Sequence, residues 1–365
     1  MVVSLAVKTV AEAEAWIAAL DLAPNPEGGY YRLSAQVPMP GGGPRPLMTV
    51  IYYLLTEQEP RARLHRSSAD SVHFHHGGGV LRLHSLGVDG ALRRRDLGAV
   101  SLERRGGAPE PQVVVAGGSW KGIELVSGSY ALISEAVVPG WSPEDHESAS
   151  RAELAAFPAE AAHALARFVG DGEESGAAEV PARTGPARTG PASALPASEG
   201  LLDGPGLADR LGLYAHVEGG FFRETWGATA TVNAEVGRRP LANSIYYLLT
   251  RDSPLGVFHR NVSDITHFFH SGGPIVYAMI DPEGGWHEVV LGRDRDAGEA
   301  LSFTCPGGWW KSSQLGSEAE HGLISEIVAP GFDYADQTFA TAEVFARRFP
   351  ALEPRWRPRM PPGER

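Results

Sequence analysis

Apolar and polar residues alternate with a period of two over much of the chain, and only a few segments carry the wider repeat of amphipathic helices. The stretch MTVIYYLLT (48–56) is β-branched and aromatic. As a strand it places Ile51, Tyr53 and Leu55 on one face and Tyr52 and Leu54 on the other. VLRLHSLGV (80–88), PQVVVAGG (111–118) and YALISEAVV (130–138) read as further short strands between Gly, Pro and polar turns. Helical spacing is confined to AEAEAWIAALDL (11–22), RAELAAFPAEAAHALARFV (151–169, interrupted at Pro158) and TAEVFARRF (341–349).

The pattern occurs twice. PEGGYYR (26–32) answers VEGGFFR (217–223), and IYYLLT stands at both 51–56 and 245–250. HRSSADSVHFHHGGG (65–79) answers HRNVSDITHFFHSGG (259–273). AGGSWKG (116–122) answers PGGWWKS (306–312), and LISEAVVPGW (132–141) answers LISEIVAPGF (323–332). The order is the same in both halves, so one domain is duplicated in tandem. Many short strands with turn signals between them predict an all-β fold, each half a closed antiparallel barrel with short helices at its edges. The predicted boundaries are a first domain at 1–169, a Pro/Gly/Ala-rich flexible linker at 170–204, a second domain at 205–352 and a tail at 353–365.

With 365 residues, 43% of them apolar, the chain can bury two cores. Its formal charge is −12 and no Lys/Arg block stands out, which argues against nucleic acid as a partner. No apolar run is long enough to span a bilayer, and no signal-peptide pattern opens the chain, so no membrane partner and a cytoplasmic location are expected. The single cysteine, Cys305, excludes an internal disulfide and reads as a small buried side chain.

The series EGGYYR, IYYLLT, HR…SD…HF, GGxWK and VxPGF/W resembles the cupin superfamily, above all its branch labelled DUF985 or cupin_5. The resemblance covers about 26–145 and about 217–338 and implies a bicupin, two double-stranded β-helix barrels of the RmlC-like jelly-roll type with short peripheral helices. It also implies that the two barrels pack against each other, with further homodimerisation compatible. Cupins span oxygenases, decarboxylases, epimerases, sensors and storage proteins, so the family leaves the chemistry open.

A cupin metal site takes two histidines and a carboxylate from one motif and a histidine from a second. The first motif offers His65, Asp70, His73 and His75, and its repeat offers His259, Asp264 and His267. Such donors suit Fe, Mn, Ni, Zn or Cu. Strand alternation places His73 opposite His76, and His267 opposite His270, so one straight strand cannot bring both of a pair to one ion. His65 and His73 can converge from neighbouring strands, with Asp70 near the turn between them. The second motif, however, carries Lys121 and Lys311 where the fourth ligand is expected, and an ammonium has no lone pair.

An interior lysine needs a counter-charge, and LISE supplies Glu135 and Glu326. The lysine then serves as a structural ion pair, as a point charge for a substrate anion, or as a base or Schiff-base nucleophile. Arg66 and Arg260 either pair outward with the nearby aspartate or recognise an anion bidentately. Glu27 and Glu218 anchor the leading strand or reach the substrate. Tyr53 and Tyr247 offer an acid in the pocket, and Trp309 lines the second one. The leading expectation is a small-molecule site for a small, polar, anionic metabolite with isomerase, epimerase or lyase chemistry. In it His65, His259, His73 and His267 act as acid–base groups or metal ligands, Lys121 and Lys311 hold the anion, and Glu135 and Glu326 tune the lysine. A metal-dependent dioxygenase or decarboxylase and a non-catalytic binding or sensor protein are the rivals.

Overall fold

The computed structural model describes residues 2–100, 107–170 and 204–364. The chain divides into two compact units, Met1–Leu195 and Pro196–Arg365. Between its two end residues the predicted linker lies outside the described residues.

In the first unit a helix, Val2–Ala19, precedes the strands. Tyr30–Val37, Met48–Thr56, Trp120–Val138 and Arg61–Arg66 then lie side by side, each pair antiparallel. Asp70–Leu86 pairs along Trp120–Val138 and carries Leu92–Leu97 and Gln112–Val115 on its other edge. The segments read as separate strands around 80–88 and 130–138 are thus the far ends of two long strands, of 17 and 19 residues. Register shifts at His75/Gly77 and between Gly78 and Leu81 bend the pair. A bulge at a glycine turns a strand without breaking it, so the sequence's turn signals mark bends here.

The second unit repeats this course with each long strand split in two, Asp264–Gly272 from Ile275–Ile280 and Trp310–Leu315 from His321–Ala329. Where the first unit has Val80 in its ladder, the second has Pro274, which has no N–H to donate. The alternation read from IYYLLT holds. Tyr53 and Leu55 pack inside the first barrel with Leu81, Leu83 and Ile133. Tyr247 and Leu249 pack inside the second with Phe269, Tyr277 and Ile324. Tyr52 faces the other way, against the His76 ring. Among the described residues no helix is long and apolar enough to cross a membrane.

The stretch read as a tail is corrected. Residues 353–360 fold onto the second unit through Trp356 and Met360, both fully buried in a cluster with Phe258, Trp310, Phe345 and Phe349. Its one-turn helix, Glu353–Trp356, is too short to show a period, and so a lone aromatic anchor among Pro and Arg escapes pattern reading. Trp356→Ala should lower the stability of the second unit by about 3–5 kcal/mol in chemical denaturation. A loss below about 1 kcal/mol would show that the segment does not pack on the barrel.

Candidate functional site

Each barrel centre is built from one glycine turn and the strands that carry the histidines, the lysine and the glutamate of LISE. The EGG turn is closed by Gly28 N–H donating to the Asn25 carbonyl and Asn25 N–H donating to that of Gly29. Gly28 has φ +103°, and a Cβ there would stand 2.3 Å from the Arg61 carbonyl oxygen. Only glycine fits such a position. The Tyr53 hydroxyl donates to the Gly28 carbonyl at 2.7 Å, and Arg63 N–H donates to the Glu27 carbonyl at 2.7 Å. Locked in this way, Glu27 reaches into a cavity of about 90 Å³ beside His65.

Glu27 holds two imidazoles there. Its Oε1 lies 2.5 Å from His146 Nε2, and its Oε2 lies 3.3 Å from His65 Nδ1. The two rings are 5.2 Å apart, tilted by 31°. His65 Nδ1 also meets the Arg63 carbonyl at 2.9 Å. Both partners of Nδ1 are acceptors, so the neutral ring carries its proton on Nδ1 and keeps a lone pair on Nε2. Burial would raise the Glu27 carboxyl, but His65 and His146 hold it below its ordinary value. Burial outweighs the pull of Glu27 on His65, which is pushed down and is neutral at pH 7. For His146 burial opposes the charge, yet the hydrogen bond and charge of Glu27 prevail and raise it.

Deeper in the same cavity, Lys121 Nζ donates to Glu135 Oε1 at 2.5 Å and to Ser71 Oγ at 3.3 Å, and lies 3.4 Å from His73 Nε2. An ammonium has three N–H groups, and these partners take all of them. His73 is fully buried, its Nδ1 is 3.2 Å from the Val113 carbonyl, and burial lowers it to about 4. Glu135 is held well below the carboxylate range, with burial opposed by Lys121 and His73.

The second barrel keeps the plan and changes its members. Glu218 and His259 Nε2 are 3.2 Å apart, while His259 Nδ1 meets the Val257 carbonyl at 2.9 Å. Gln337 stands where the first barrel has His146 and donates to Glu218. An amide brings no positive charge, and burial pushes Glu218 up to about 8. Lys311 Nζ lies 3.0 Å from His267 Nε2 and 3.5 Å from Glu326 Oε2. Ile265 replaces Ser71, and the cavity shrinks to about 40 Å³.

The comparisons with known proteins accord with this architecture. The sequence pattern of DUF985 in the cupin superfamily matches residues 14–149 and again 206–340. The chain belongs to the DUF985 cupins. An uncharacterised protein of Saccharomyces cerevisiae, YML079W, is 39% identical to this cupin over 145 residues, 36% of this chain and 72% of that protein. A hypothetical protein from Leishmania major is similar at 31% identity and TM-score 0.42, over 44% of this chain and 99% of that one. Oxalate decarboxylase from Bacillus subtilis aligns at 12% identity and TM-score 0.48, over 90% of this chain and 78% of that one.

In this cupin the residues expected as metal ligands do not assemble. Asp70 and Asp264 turn away to accept the Gly117 and Gly307 N–H groups, each at 2.7 Å. They fix the loop before the lysine strand. His75 Nε2 meets the Gly79 carbonyl at 3.0 Å in the strand bend. Lys121 and Lys311 lie where the remaining histidine and glutamate of each barrel converge. Among the described residues no group of three or more His, Cys, Asp or Glu side chains is arranged to hold a metal ion. The donor set does not fit Fe, Mn, Ni, Zn or Cu.

Other expected residues move too. Arg66 borders the first cavity but pairs with Glu147 rather than Asp70, and lies 4.6 Å over the Trp120 ring. Arg260 lies 5.0 Å over the Trp310 ring. The hydroxyls of Tyr53 and Tyr247 are committed to the glycine turns, at 2.7 and 2.9 Å. Trp309 packs on His287, and the second cavity is walled without it. In the other direction, the structure adds His146, which residue type and spacing do not single out, and sets Glu27 between it and His65. The signal available was the histidine in SPEDHES with no counterpart in DYADQTF.

Lys121→Met should strand the Glu135 carboxylate and cost the first unit about 3–5 kcal/mol. The pH dependence should also change sign. In the wild type the folded Glu135 sits below its ordinary 4.5, so its contribution is present above that value and lost as the pH falls through the lower folded one. In Lys121→Met, burial acts unopposed by the lysine and raises the folded carboxyl, so mild acid should stabilise the variant. Denaturation midpoints measured across the acid range check both, and parallel wild-type and variant curves would contradict the assignment.

Proposed function

We propose that the first barrel moves protons on a small, polar, anionic metabolite in an isomerase- or lyase-like reaction. The observation that carries this reading is the pair of imidazoles on Glu27 in one cavity, one pushed toward its neutral form by burial and the other toward its charged form by the carboxylate. His65 supplies the base through Nε2, because Glu27 and the Arg63 carbonyl hold its other nitrogen as N–H. His146 supplies the acid, its charge kept by Glu27. Rings 5.2 Å apart on one carboxylate suit the transfer of a proton between neighbouring atoms. His65 takes a proton from a carbon beside a carbonyl, the electron pair moves onto the carbonyl oxygen, and His146 protonates that oxygen. The same pair serves elimination when the adjacent oxygen leaves as water. Inversion of a centre from opposite faces, the epimerase variant, is less well served by two groups on one carboxylate.

Lys121 has no N–H left for a ligand, so in this barrel it orders Glu135 and His73 instead of holding the substrate. The anion is met instead by His146 and by Arg66, which borders the cavity. Tyr31 and Trp141 complete the walls near them.

The test is solvent-proton exchange. Panels of small keto, hydroxy and amino acids incubated with the protein in D₂O should show deuterium entering a C–H position by NMR. Glu27→Gln should reduce that exchange by about 10²-fold or more, as expected for losing positioned acid–base groups. The rate should fall on the acid side as His65 gains a proton, below its ordinary 6.5, and on the alkaline side as His146 loses one, above 6.5. His146→Gln should remove the alkaline limb alone. Exchange in no member of the panels, or exchange untouched by Glu27→Gln, would overturn the reading.

A further inference from the structure

The duplication provides an internal control for each group in the two cavities, and the lysines differ in how fully they are satisfied. Lys121 spends three N–H groups on Ser71, His73 and Glu135, with the ion pair at 2.5 Å. Lys311 is equally buried, at 4% exposure, but has two partners among the described residues, His267 at 3.0 Å and Glu326 at 3.5 Å. The third acceptor is gone because Ile265 stands in place of Ser71. One N–H of a buried ammonium is therefore unspent, and its counter-ion is a full ångström farther away. A buried donor left unpaired is costly, and a ligand that fills it recovers that cost.

The surroundings select the ligand. Lys311 opens on a cavity whose walls are apolar at Phe222, Ile245, Ile265, Val328 and Phe332. In the first barrel the places of Ile265 and Phe222 are taken by Ser71 and Tyr31. Asn261 also borders the cavity, with its buried amide oxygen position unpartnered. An amide can be turned to present its N–H₂ at that point. Two donors and several aliphatic and aromatic side chains lining one cavity match a carboxylate with a short alkyl tail. The volume, about 40 Å³, corresponds to about three water-sized spheres. Glu326 lines the same space, and its negative charge disfavours a dianion there. Glu224, the other carboxylate of the lining besides Glu218, is exposed to water. Two imidazoles also stand near Glu218, His216 Nδ1 at 3.8 Å and His259 Nε2 at 3.2 Å, but His216 Nδ1 accepts the Glu218 N–H and burial lowers both rings, so with Gln337 in place of His146 neither is held in the charged form.

We propose that the second barrel is a binding site, distinct from the proton-transfer site of the first, for a short-chain aliphatic monocarboxylate of acetate to propionate size, whose carboxylate takes the free N–H of Lys311. The two barrels then have separate tasks, one converting a polar metabolite and the other holding a small acid.

Isothermal titration of the full chain with propionate should show one site per chain, and titration with methylammonium should show none. Ile265→Ser rebuilds the third acceptor of the first barrel and should weaken propionate binding at least about tenfold while leaving the melting curve close to wild type. Lys311→Met should abolish binding. Glu27→Gln, which disables the first barrel's acid–base pair, should leave propionate affinity unchanged, so this site and the reaction proposed for the first barrel are judged separately. No binding by the wild type, or undiminished binding by Ile265→Ser, would overturn the proposal. Loss of binding in Glu27→Gln alone would overturn it as well, because the anion would then sit in the first barrel.

Discussion

An ammonium buried at the centre of a small β-barrel must be surrounded by acceptors, and this requirement organises both halves of the molecule. Lys121 is matched by Glu135, Ser71 and His73, which come from the two long strands that build the barrel wall. None of these partners can be placed without fixing the register between Asp70–Leu86 and Trp120–Val138. A slip of one residue would turn Ser71 and His73 out of the barrel and leave the lysine short of two of its three acceptors. The polar centre thus specifies the alignment of the strands, while the apolar layer of Tyr53, Leu55 and Ile133 supplies most of the burial.

The fold was largely legible in the sequence because alternation and duplication are strong, redundant signals. The inward face of IYYLLT, the helix break at Pro158 and the lysine–glutamate pairing all follow from residue type and spacing. What could not be read was direction within the loops. Asp70 carries the chemistry of a ligand, yet its oxygen serves a glycine N–H 47 residues further along the chain. Trp309 carries the chemistry of a pocket wall, yet it lies on His287 outside it. His146 sits in the acidic stretch SPEDHES, and only the short pairing of Glu147–Ser148 with His65 and Arg66 brings it to Glu27. Parity along a strand is fixed by geometry, whereas the aim of a loop side chain depends on contacts far away in sequence.

Duplication let the two centres diverge by a few substitutions, each with a traceable effect. Exchanging a histidine for Gln337 removes one of the two imidazoles that hold the first carboxylate below its ordinary value, and burial raises the second carboxylate to about 8. Exchanging a serine for Ile265 removes an acceptor and makes one wall apolar. The strand frame needs neither polar residue, which is why the fold tolerates both changes. Shared residue types in two copies of a domain therefore do not imply shared chemistry, and the partners of each group have to be counted.

The glycine turn that carries Glu27 has a consequence for the thermodynamics of recognition. A glutamate on an ordinary strand or loop has several rotatable bonds to immobilise when a ligand arrives. Here the backbone beneath it is pinned by the Tyr53 hydroxyl and the Arg63 N–H, and the carboxylate is gripped by two imidazoles before anything binds. The ordering entropy of the carboxylate and its two imidazoles is spent during folding. A ligand entering this cavity would therefore meet groups already in place, and the side-chain ordering part of the cost of binding would fall mainly on the ligand itself.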